Sequence, residues 1–218
     1  MKVLVFDTET TGLLPKIRKG ENKLDYINEY PYIIQFSFIL YDSDNHNIVE
    51  NHDYIIKLPM NTKISKKSIE LHGIDAEKSL NEGRDIIEIL DIFDNVLSKS
   101  DVVIAHNYSF DETMVQIEYI RNEKKCNLDK SKNNIYCTME NSVDLCGLVA
   151  TNRVGTYKKF PRQNELHMKL FHCIPENLHN SYNDILVCLR CYFKMQHDVD
   201  ICNKNEEIKK LFIEKLNV

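Results

Sequence analysis

Residues 2–6, a lysine and then four apolar residues without alternation, stop at Asp7, the pattern of a buried strand whose end carries an acid. Residues 32–41 are rich in Ile and Phe, and residues 48–58 alternate loosely. Between them Asn45-His46-Asn47 supplies turn chemistry, so the three runs predict an antiparallel meander. Residues 14–31 are charged, aperiodic and longer than an ordinary connection, and no element is predicted there. From Ile64 the pattern turns helical. Residues 65–71 form a short helix closed by Gly73, and residues 85–97 carry apolar positions at Ile86, Ile89, Leu90, Phe93 and Leu97. A Val/Ile strand at 101–105 precedes a helix over 110–121, and this alternation points to α/β packing. A short strand near 135–137 comes next, with helices near 139–148 and 163–171, a long helix over 182–197 and a last one over 205–216.

With 218 residues and 43% hydrophobic content, the chain has enough apolar material for a single core. The expected division is one domain over 1–200, with 201–218 a C-terminal helix packed on it or appended to it. No run approaches the ~20 apolar residues that span a bilayer, and Met1-Lys2 leads straight into the first strand, so an intracellular protein without a membrane partner is expected. Seven irregularly spaced cysteines fit reduced thiols. The net charge of −5 speaks against a protein that coats duplex nucleic acid, but a confined acidic site is negative until it holds cations. Basic residues cluster at Lys63, Lys66 and Lys67, at Lys124 and Lys125, and at Arg153, Lys158, Lys159 and Arg162, where solvated surface is the plain reading.

Three motifs carry chemistry. In Asp7-Thr8-Glu9-Thr10-Thr11-Gly12-Leu13 the two acids stand two apart at a strand end and project on one face, as acids that share a metal ion must. His106-Asn107-Tyr108-Ser109-Phe110-Asp111 lies where strand 101–105 meets the next helix. Ser109 there reads as a helix cap, whereas Asp111 sits in the first turn, kept ionised by the helix dipole, at the strand end where such sheets present their ligands. In His179-Asn180-Ser181-Tyr182-Asn183-Asp184 five helical residues would turn through about 500°, so His179 belongs to the loop before the helix. Asn177 and Ser181 are the expected caps, letting that loop fold the imidazole back toward Asp184.

These motifs together resemble the DEDDh exonucleases, with the proofreading subunit of bacterial DNA polymerase III and its free-standing relatives as the nearest group. The likeness extends to Tyr32-Ile33-Ile34-Gln35, Leu71-His72-Gly73-Ile74, Cys137-Thr138-Met139 and Phe160-Pro161-Arg162 with Glu165-Leu166-His167, up to about Tyr192-Phe193. It implies a ribonuclease H-like α/β fold, with a central mixed five-stranded sheet flanked by helices. It also implies hydrolysis from the 3′ end of a nucleic acid, DNA favoured and RNA the alternative, with release of nucleoside 5′-monophosphates. Asp7, Glu9, Asp111 and Asp184 would hold two Mg²⁺ or Mn²⁺ ions, and His179 would activate the attacking water. Thr8 and Thr10 would contact the terminal nucleotide through backbone and Leu13 would wedge against its base. His72, His106, Asn107 and Phe110 are counted with them as substrate-contacting. A sister subclass places tyrosine four before the last acid, where this chain has Asn180, which supports the histidine subclass. Asn180, Tyr182 and Asn183 depart from the small residues usual after this histidine, and residues 14–29 outrun the matching loop of the polymerase subunit. No long tail follows, so nothing in the sequence supports a polymerase partner, and a single-stranded or frayed 3′ end is the expected one.

Two other classes compete. A silent nucleic-acid-binding module would be favoured by loss of an acid, and all four are present. A zinc site could draw on His167, His172, Cys173, Cys188 and Cys191, but Cys188 and Cys191 lie three apart on an apolar helix face, where cysteine acts as a small hydrophobe.

Overall fold

The computed structural model describes residues 1–18, 20–129 and 133–218. One mixed sheet runs in the order β3-β2-β1-β4-β5, from β1 (Lys2–Thr10), β2 (Ile33–Asp42), β3 (Asn47–Ile55), β4 (Val102–Ala105) and β5 (Ile135–Cys137). β2 lies antiparallel to β1 and β3, whereas β4 is parallel to β1 and β5 to β4. Parallel neighbours require crossovers. Helices α1 (Lys66–His72), α2 (Ala76–Glu82) and α3 (Ile86–Leu97) connect β3 to β4, and α4 (Tyr108–Arg121) connects β4 to β5. Beyond the sheet come α5 (Thr138–Asn141), α6 (Val143–Cys146), a hairpin of β6 (Val149–Thr151) and β7 (Thr156–Lys158), α7 (Gln163–Phe171), α8 (Ser181–His197) and α9 (Glu206–Leu216). A five-stranded mixed sheet flanked by helices is the architecture expected above.

Side chains of β1 alternate between two cores. Val3 and Val5 meet α8 and α9 through Ile185, Leu189, Phe193 and Phe212, while Leu4 and Phe6 meet α3 and α4 through Phe93, Met114 and Tyr119. Burial on both faces explains why residues 3–6 read as an unbroken apolar run. α9 contributes Ile208, Phe212 and Leu216 to the first core.

Several elements differ from the sequence reading. β1 continues through its polar residues to Thr10, because pairing with β2 persists to Thr10–Ile33 across a register shift after Glu9. The stretch 14–31 contains one 3-10 turn, Lys23–Tyr26, capped by Asn22; Lys19 lies outside the described residues. α2 was not anticipated: it is fixed by its Asp75 cap and by Ser79, whose buried hydroxyl donates to the Ile56 carbonyl. The single helix expected near 139–148 is two short ones, broken at Ser142, and the β6–β7 hairpin has no alternating apolar face to announce it. Other boundaries follow their caps: Ser65 opens α1, Gly73 closes it at φ 70°, and Asp85 opens α3.

Candidate active site

Three chain segments meet at one end of the sheet. The end of β1 supplies Asp7 and Glu9, the first turn of α4 supplies Asp111, and the first turn of α8 supplies Asp184. Asp7 and Glu9 share the strand face that looks toward α8, and with Asp184 each offers an oxygen within 4.8 Å of the others. Asp111 comes from the opposite helical layer and is fully held by Thr8, whose backbone N–H and hydroxyl both donate to its Oδ1. A cleft of about 470 Å³ joins the four acids to Thr8, His106, Asn107, Phe110 and His179.

Local sequence explains each placement. α8 docks on β2 through Ser181, whose buried hydroxyl lies 2.5 Å from that of Ser37 and whose N–H donates to Gln35 Oε1. That contact sets the α8 N-terminus over the end of β1. Ser181 is therefore a docking residue, and the cap is Asn180, whose side chain accepts from Asn183 N–H. Asn177 does not cap either: its side chain donates to the Lys215 carbonyl, and its own carbonyl accepts from Asn183 Nδ2. At the other junction Ser109 yields the cap position to Asn107, which turns from β4 into α4 at φ 65° without a side-chain cap bond. Asn tolerates this left-handed conformation better than most side chains. His179 adopts φ 68° as well, so unusual backbone flanks two of the acids.

His179 is exposed at the cleft rim and meets Asp184 through its backbone N–H, 3.1 Å from Oδ2, rather than through the imidazole. His106 is a strut across the cleft wall. Nε2 donates to the Pro161 carbonyl at 3.2 Å, so Nδ1 accepts from the Thr138 hydroxyl at 2.9 Å, and burial lowers its pKa to about 4. Both ring nitrogens are occupied by protein. Thr10, Leu13 and His72 lie outside the residues that line the cleft. Leu13 stands 85% exposed beside a neighbouring hollow with Met60 and Lys63, Thr10 turns its hydroxyl to the Gly12 carbonyl, and His72 is buried behind them with Nδ1 accepting from Ile74 N–H. The cleft also takes in Met139, Phe160, Gln163, Asn164 and Leu178, which the sequence reading did not assign. Gln163 bonds the Asp184 carbonyl, a tertiary contact with no local signal.

Burial dominates the electrostatics. It raises the pKa of Glu9 and Asp111 to about 7, and it raises those of Asp7 and Asp184 as well, helped by the neighbouring acids. The Thr8 bonds act the other way on Asp111. Four acids held this close repel one another, and a multivalent cation would relieve that strain. Oxygen-only donors suit hard divalent ions, so the residues fit such a group. The cysteines and histidines weighed for zinc sit elsewhere. Cys188 and Cys191 are buried in the apolar core and all seven cysteines are free, while His167 binds the Cys173 carbonyl through Nδ1. Among the described residues no helix is long and apolar enough to cross a membrane.

Comparison with known proteins agrees with this geometry. A profile of the RNase T exonuclease family matches residues 4–192. Over 119 residues, 55% of the chain, it is 29% identical to a PolC-type DNA polymerase III of Mycoplasmopsis pulmonis, of which the match covers 7%. Exonuclease I of E. coli in complex with a dA16 oligonucleotide superposes on 97% of the chain with a TM-score of 0.65 at 15% identity, over 43% of its own length. Its complex with a dT13 oligonucleotide gives 0.67 at 16% identity, over 96% of this chain and 45% of that one. The chain thus spans under half of exonuclease I and a small part of the polymerase, and at this identity the likeness to exonuclease I is one of fold, the ribonuclease H-like arrangement.

Proposed function

Because the chain belongs to the RNase T exonuclease family, we propose that it hydrolyses phosphodiester bonds from the 3′ end of a single-stranded or frayed nucleic acid, DNA in preference to RNA, and releases nucleoside 5′-monophosphates. The observation that carries this reading is the convergence of Asp7, Glu9 and Asp184 within 4.8 Å, with Asp111 in the same cleft. Asp7, Glu9, Asp111 and Asp184 would hold two Mg²⁺ or Mn²⁺ ions, which when bound stabilise the entering and leaving oxygens of an in-line displacement.

The remaining work falls to the chain itself. His179 stands at the rim where its ring can take the proton of the attacking water. Its backbone N–H donates to Asp184 Oδ2, which ties the loop that carries the ring to the first turn of α8. Phe110, half-buried on the cleft wall, offers a stacking face to the terminal base, and the Thr8 backbone N–H is committed to Asp111. Leu13 stands exposed beside the neighbouring hollow, and in this reading it would reach the substrate end from there to wedge against the last base.

The test offers end-labelled single-stranded DNA, duplex DNA, mismatched ends and RNA with Mg²⁺ or Mn²⁺. Mononucleotides should leave a 3′-labelled single strand first, a 5′-labelled strand should shorten progressively, and chelation should stop both. Cleavage of circular single strands, or faster digestion of perfect duplex than of single strands, would overturn the proposal.

A further inference from the structure

Residues 145–164 hold Arg153, Lys158, Lys159 and Arg162 and no acid, in a chain whose net charge is −5. This segment contains the β6–β7 hairpin, and residues 151–158 are exposed without a break. Val149 is 67% exposed, Val154 96%, Tyr157 49% and Phe160 56%. A two-stranded ribbon bare on both faces contributes nothing to either core and is marginal by itself. Yet this one is firmly built. Asn152 Oδ1 accepts from Val154 and Gly155 N–H, and its backbone N–H donates to the Gly155 carbonyl, closing a turn that presents Arg153 and Val154. At the base Lys159 N–H donates to the Leu148 carbonyl, and Glu165 binds both Lys159 Nζ and Arg162 N–H.

The base of the ribbon is also a wall of the catalytic cleft. Phe160, Pro161 and Arg162 follow β7 after Lys159 and line it, and the Pro161 carbonyl is fixed by His106. Chain leaving the cleft past Phe160 would run along a ribbon roughly 10 Å long at ~3.3 Å per residue. Exposed aromatic and apolar faces beside a cation at the tip fit one chemistry: unstacked bases and the phosphates between them. Lys158 is tied to Asp144, whereas Arg153 stands at the tip. A second copy of the chain would bring like charge against like.

We infer that the β6–β7 hairpin is a second binding surface, which takes the single-stranded nucleic acid a few nucleotides upstream of the scissile end. It rests on the exonuclease reading and adds to it a preference for longer strands. The test compares the native protein with the double variant Arg153→Glu, Tyr157→Ala, its fold checked by melting. Both are given the p-nitrophenyl ester of thymidine 5′-monophosphate, which cannot reach the ribbon, and single strands from a dinucleotide to about twenty nucleotides. Both proteins should turn over the ester equally. On the longest strand the variant's KM should rise about tenfold or more, and its salt dependence should flatten by about one unit of slope for the lost phosphate contact. An unchanged KM on long strands, or an equal loss on ester and strand, overturns the inference. If neither protein turns over any substrate, the catalytic reading fails by itself. Anisotropy of a labelled oligonucleotide in Ca²⁺ then still decides the ribbon, since unchanged affinity in the variant overturns it. Concentration-dependent self-association abolished by the same variant would assign the ribbon to a second copy and also overturn it.

Discussion

Thr8 holds Asp111 by two hydrogen bonds onto one oxygen, from its backbone N–H at 3.0 Å and its hydroxyl at 2.8 Å. The bond joins residues 103 positions apart and ties the helical layer of α4 to the end of β1. It also favours the ionised form against the burial that raises the pKa to about 7.

Thr8→Val keeps the volume and the backbone bond but removes the hydroxyl. A hydrogen bond to a charged group contributes about 1.5–3 kcal/mol, so Mn²⁺ affinity should fall about tenfold or more, with Thr8→Ser near native. Calorimetric Mn²⁺ titration of the three proteins checks this. Equal affinities would show that the hydroxyl does not set the state of Asp111.

Asp184 and His179 should separate by role. Asp184→Asn removes a carboxylate from the trio that lies within 4.8 Å, and should abolish activity together with one metal-binding event. His179→Ala leaves the backbone bond to Asp184 intact, so metal affinity should hold while turnover falls by about 10²–10⁴, the usual contribution of a positioned base. Metal loss in His179→Ala would make the histidine a ligand instead.

The four acids and the sheet were legible because their chemistry and burial leave local marks. Asp7 and Glu9 must sit two apart to share a strand face, and a strand covered on both sides must be apolar there, as residues 3–6 are. What stayed hidden is tertiary. Ser181 resembles a cap until Ser37 is seen beneath it, and Ser109 resembles one until Asn107 is found in the left-handed region. α2 has no apolar face, since Leu80 is exposed and its anchor is the hydroxyl of Ser79. The β6–β7 hairpin was missed for the same reason, as burial gives a strand its alternation and this one is not buried.

α9 should prove integral to the domain and not an appendage. Phe212 is buried in the α8 core, 6.3 Å from the His167 ring and beneath the Arg190 guanidinium at 4.9 Å. Phe212→Ala should therefore cost about 3–5 kcal/mol. Denaturant unfolding measures it. A loss near zero would make residues 201–218 a separate, dispensable segment.

The last expectation concerns pH. Burial raises the folded-state pKa of Glu9 and Asp111 to about 7, and those of Asp7 and Asp184 move in the same direction, whereas unfolded carboxyls titrate near ~4. Between those values the folded state binds more protons than the unfolded one, so stability from this cluster is fully present below pH ~4 and is lost as pH rises through about 7. A divalent cation reverses the sign, because it binds the ionised cluster of the folded chain alone. The difference in melting temperature with and without Mn²⁺ should thus be small near pH 5 and widen toward pH 8, at roughly constant ionic strength. In chelator, Asp7→Asn should be more stable than the native protein at pH ~8 and lose that advantage in acid, since the amide relieves repulsion without needing a proton. His106, whose pKa is lowered to about 4, contributes equally to both proteins and cancels in the comparison. A Mn²⁺ effect that did not vary with pH would mean that the acids are already ionised in the free protein and that the cation does not displace protons from them.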